Sequence, residues 1–82
     1  MSNVLQIENH KSILQASKLV WREGCAPVRC VLRKQGEEYI THMENLRLED
    51  GVFKHDGFYW GHYFMLDAKG AQEDYKERCE KL

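Results

Sequence analysis

From Val28 to Met43 the chain alternates apolar and polar side chains with a period of two. Val28, Cys30 and Leu32 alternate with Arg29, Val31 and Arg33, and Tyr39, Thr41 and Met43 alternate with Glu38, Ile40 and His42. That spacing predicts two half-buried antiparallel strands. A turn at Gln35 and Gly36 would oppose Lys34 to Glu37, Arg33 to Glu38, Leu32 to Tyr39, and so on down to Val28 with Met43, so that every pair matches in character. A third run, Phe58 to Phe64, predicts another strand, with Phe58, Trp60, His62 and Phe64 on one face and Tyr59, Gly61 and Tyr63 on the other.

On either side of these strands the period lengthens. Ile13, Ala16, Ser17, Val20 and Trp21 share one side of a helical wheel, which predicts a helix over 9–23, capped by Asn9 or Ser12 and stopped by Gly24. Ala68, Ala71, Tyr75, Cys79 and Leu82 form a stripe that predicts a second helix over 68–82, capped by Asp67. Residues 44–57 carry two Asp-Gly turn signals, and the first, Asp50-Gly51, predicts a short accessory hairpin of 46–48 against 52–54. The expected fold is one α+β domain over 1–82. It has the order αβββα, with a three-stranded antiparallel sheet, four-stranded if the accessory hairpin joins it, and a helix at each end.

Both faces of the aromatic strand are largely apolar, yet two helices packed together cover only one face of a small sheet. The other face is therefore the place to expect function. Tyr59, Trp60, His62 and Tyr63, joined by His42, are the candidate binding residues. Tyr and Trp combine a large apolar body with a polar tip, as interfaces favour, and a histidine adds a polar contact to an aromatic wall. Two readings follow: a non-enzymatic binding or interaction protein, a homodimer through the aromatic face, or a small-molecule-binding protein or enzyme with His42 or His62 as general base.

Composition narrows the partners. The chain has 82 residues, 43% of them hydrophobic and 30% charged, with a formal net charge of −1. A chain this short buries only about 60 to 65% of its unfolded surface, so a partner covering apolar surface would add stability. Near-neutral charge argues against nucleic acid, and no apolar run is long enough to span a bilayer. The charge is uneven: residues 1–34 carry +4 and residues 35–82 carry −5. Such halves attract each other, within one chain or between two. The opening MSNVLQIENHK lacks the pattern of a secretory leader, so the expected compartment is the cytoplasm.

Chemistry-bearing residues are few. Cys25, Cys30 and Cys79 are odd in number and, with His10, His42, His55 and His62, lack the spacing of a zinc site, so neither a disulfide framework nor a metal is expected. No catalytic residue and no cofactor is expected, since the sequence shows neither a phosphate loop nor a partnered nucleophile. Tyr39 to His42, Gly57 to Phe64, Ala71, Asp74, Tyr75 and Arg78 resemble a pattern of small bacterial proteins carried in mobile integron gene cassettes. The resemblance covers the second half of the chain. It implies an accessory soluble protein and transfers no reaction.

Overall fold

The structure is a computed structural model that describes residues 6–82. It corrects the expected αβββα order. The strands are β1 (Gln6–Ile7), β2 (Ile13–Ala16), β3 (Val20–Arg22), β4 (Cys25–Gln35), β5 (Glu38–Glu49) and β6 (Val52–Tyr63), followed by a single helix α1 (Ala68–Glu80). They form one curled sheet in the order β1-β6-β5-β4-β2, with β3 also paired to β4. Every described pairing is antiparallel except β1 with β6.

The expected helix over 9–23 is replaced by strands. Ile13, Gln15 and Ala16 pair with β4, a bend follows at Ser17, and Val20 and Arg22 pair with β4 again. At the bend Ser17 exchanges backbone and side-chain hydrogen bonds with the amide and carbonyl of Cys30. Gly24, with φ 72°, turns β3 into β4 and does not close a helix. The physical reason lies in β4, which is buried on both faces from Pro27 to Arg33. Its outer edge would present unpaired N–H and C=O groups, and strands at 13–22 satisfy that edge whereas a helix could not.

The β4–β5 hairpin keeps the expected faces but shifts its register by two: Gln35 pairs with Glu38, Leu32 with Thr41 and Val28 with Asn45. Gly36 carries φ 61° and therefore sits first in the two-residue loop, as a type II′ turn requires, which moves the loop to Gly36-Glu37. A shift of two preserves which side chains share a face. The Asp50-Gly51 turn is present with both residues at positive φ, 53° and 79°, the type I′ pattern. Its strands are not accessory. They are the near ends of β5 and β6, which run on past two β-bulges.

On one face, Val28, Cys30 and Leu32 of β4 and Met43 of β5 pack against Ala71 and Tyr75 of α1. Asp67 caps α1 by accepting from the amide of Gly70. On the opposite face, residues 8–12 run from the β1 edge to the β2 edge as a strap. Asn9 bonds Arg29, the His10 ring meets His55 and Phe58, and Ser12 bonds Arg33. The face that lacked a helical cover is thus covered by the chain itself over β4 and β5, while Tyr63 of β6 stays exposed. No helix among the described residues is long and apolar enough to cross a membrane.

Candidate functional site

The two bulges of β6 decide where the aromatic side chains go. The second lies opposite His42, where Trp60 and Gly61 together face one residue of β5, and Trp60 takes φ 53°. A bulge resets the alternation of the strand beyond it. Phe58, Gly61 and Tyr63 consequently share the strap face, and Tyr59, His62 and Phe64 the helix face, which corrects the expected grouping of 58, 60, 62 and 64. Gly61 lies flat under the His42 ring; a Cβ there would run into Nε2 and stand 2.8 Å from Cδ2. The five expected site residues do not converge.

On the helix face, Tyr59 packs partly buried against the core, while Trp60 is 75% exposed. His62 donates from Nδ1 to Asp74 Oδ2 of α1 at 2.9 Å, and Thr41 donates its hydroxyl to the same oxygen. Burial alone would raise the Asp74 pKa, but the hydrogen bonds from Thr41 and His62 and the attraction of Arg78 outweigh it and hold the carboxyl below its usual range. Arg78 also donates to the Trp60 carbonyl at 2.5 Å, pinning the bulge to the helix. Met43, Trp60, His62, Arg78, Lys81 and Leu82 surround an open recess of about 380 Å³. An Asp-oriented histidine is the arrangement of a general base. Among the described residues, however, no hydroxyl or thiol is hydrogen-bonded to the His62 ring.

On the strap face His42 is buried, stacked on Phe58 at 5.2 Å and set edge-on to Tyr63 at 5.8 Å. Arg33 Nη1 lies 3.2 Å from its Nδ1. Arginine only donates, so Nδ1 is the bare, accepting nitrogen. Burial first, then the charges of Arg33 and Arg78 and the neighbouring His62, push the His42 pKa down to about 4. His42 is therefore a packed neutral ring and a weak base near neutral pH. Beside it Arg29 and Glu44, both almost wholly buried, form an ion pair at 2.6 Å, and His55 donates to the second Glu44 oxygen at 2.8 Å.

Sequence reasoning missed Arg33, His10 and Ser12 on this face and the ties of Asp74 and Arg78 to the aromatic strand. Alternation placed Arg29, Arg33 and His42 on one face of half-buried strands without an element to cover it, and the strap makes them interior. The three cysteines are free, and burial pushes the Cys30 thiol up to about 12, which makes it inert as a nucleophile at neutral pH. No three His, Cys, Asp or Glu side chains among the described residues converge as a metal-binding group. Compared with known proteins, the chain matches no family model, no curated protein and no solved structure.

Proposed function

We propose that the protein is a non-enzymatic interaction protein that pairs with a second copy of itself through the segment 60–66. One observation carries this reading: within seven residues, Trp60, Tyr63, Met65 and Leu66 are 75%, 62%, 67% and 71% exposed. Exposed apolar side chains gathered in this way are the usual mark of an interaction surface. Their backbone is held in place. Arg78 fixes Trp60, and Tyr39 exchanges hydrogen bonds with Phe64 and Met65. Trp60 and Met65 also hold positive φ, 53° and 50°, a conformation costing about 1 to 2 kcal/mol in a non-glycine residue. A partner that buries these side chains would offset that cost.

A second reading rests on the recess beside Trp60, whose indole, Met43 floor and His62 and Arg78 rim suit a small ligand with an apolar body. Sedimentation velocity over about a hundredfold dilution separates the two. The dimer reading expects a dimer that dissociates on dilution, and a Trp60→Ala variant that associates about 30-fold or more weakly, the effect of losing one aromatic anchor. A parent chain that is monomeric at every concentration would remove the dimer and leave the ligand recess.

A further inference from the structure

Arg33 is only 7% exposed, yet among the described residues it has no carboxylate partner within ion-pair distance. Its neighbour two positions back, Arg29, is equally buried and has Glu44. The Arg33 guanidinium instead lies 3.9 Å over the Phe58 ring and makes three bonds to uncharged groups, Ser12 Oγ at 2.8 Å, His42 Nδ1 at 3.2 Å and Gln35 Oε1 at 3.3 Å. A guanidinium has five N–H donors, so two are left over. Residues 1–5 contain no acidic side chain that could supply the counter-charge.

Arg33 also lines a recess of about 420 Å³ whose other walls are His10, Lys11, Ser12, Lys34, Gln35 and Gly36. Arg33, Lys11 and His10 line it and no acid does, while the Lys34 ammonium is turned to the helix face, 5.2 Å over the Tyr39 ring. A buried cation without its own ion-pair partner is costly; the nearest negative charge acting on Arg33, Glu44, is already held by Arg29 and His55, and an anion in the recess would supply the missing partner. We propose that this recess binds a phosphate group, with Arg33 as the buried anchor and Lys11 as the rim. A dianion matches the charge of Arg33 and Lys11 better than a carboxylate does, and the planar donor fork of arginine suits its oxygens. His10 accepts at Nδ1 from Ser12, and its pKa is lowered by burial and by His55 and Arg33. An anion in the recess would reverse the effect of Arg33, so binding draws a proton towards His10. The site lies on the opposite face of the sheet from the Trp60 recess.

The test is an NMR titration of the isotope-labelled full chain at low salt with inorganic phosphate, phenyl phosphate and, as a monoanion control, acetate. Saturable shifts centred on Ser12, Lys34 and Gly36, half-complete at or below about 1 mM for a phosphate and much weaker for acetate, are expected. Tighter binding of phenyl phosphate assigns the site to a phosphomonoester, and equal binding assigns it to free phosphate. Arg33→Gln should abolish binding. Because that variant also disturbs the interior, Lys11→Gln, on an exposed side chain, is the companion, and it should weaken binding about fivefold with the melting temperature unchanged. No saturable shift with any anion up to about 20 mM, or an affinity unchanged in Lys11→Gln, would overturn the proposal.

Discussion

On the helix face of the sheet, Cys30, Leu32 and Met43 meet Ala71 and Tyr75 through hydrocarbon and sulfur. On the strap face the alternate residues of the same strands, Arg29, Arg33, His42 and Glu44, are as deeply buried, and Arg29, Arg33 and Glu44 meet Asn9, Ser12 and His55 through hydrogen bonds. The first face gains stability from apolar area and tolerates any side chain of similar volume. The second is stable only while each polar group keeps its partner, because an unpaired charge in the interior costs several kcal/mol. Packing fixes the helix. Partner matching fixes the strap, and among the described residues Arg33 is the one buried cation without an ion-pair partner.

The largest effect should come from breaking a polar partnership. Glu44→Ala strands Arg29 and His55 without their shared carboxylate, and denaturant unfolding should report a loss of about 3 to 5 kcal/mol. Joining it to Arg29→Met in a double variant should restore most of that loss, which a purely apolar face would not do. Leu32→Ala on the helix face should cost about 2 to 5 kcal/mol, with no second substitution of charge able to rescue it.

Next in size is Gly61→Ala. Its Cβ would press on the His42 ring, and thermal melts should show a loss of about 1 to 3 kcal/mol, smaller in the background of His42→Ala. The coupling would confirm that the bulge brings Gly61 onto the strap face. A smaller and opposite effect is expected at Trp60, where glycine accepts the φ of 53° without strain. Trp60→Gly should leave the monomer as stable as the parent, or up to about 1 kcal/mol more stable, while weakening self-association.

What the sequence made legible was whatever depends on local chemistry. The period of two in Val28 to Leu32 and Tyr39 to Met43 reflects burial against a helix, and it places those residues correctly despite the two-residue register shift. Asp50-Gly51 and the Asp67 cap follow from local backbone preferences and stand where they were expected. Residues 9–23 fit a helical wheel through four apolar positions and Ser17, while the need that decided the matter, pairing the far edge of β4, is non-local. Leu14 and Leu19, which lie off that wheel, were the available sign. The grouping of 58–64 failed at a bulge, which inserts one residue and exchanges the faces beyond it. Arg33 could not be recognised at all, since its burial depends on a strap some twenty residues earlier in the chain.

The same contrast sets the pH response. His42 and His10 have folded pKa values below the ordinary 6.5, so the unfolded chain binds protons more readily than the folded one between that value and the folded pKa. Stability should therefore be full above pH 6.5 and fall as pH drops through about 6.5 towards 4, beyond which protonation of the folded state stops the decline. Replacing His42 with glutamine should flatten this part of the profile.

The central claim is that the strap closes the second sheet face and turns its polar residues into an interior. The most direct measurement is the titration of the His42 ring by NMR. A ring buried beneath the strap, with Nδ1 held by Arg33, should stay neutral down to a midpoint of about 4. A midpoint near the ordinary 6.5 would mean that water reaches the ring and the face is open, and the account would be wrong.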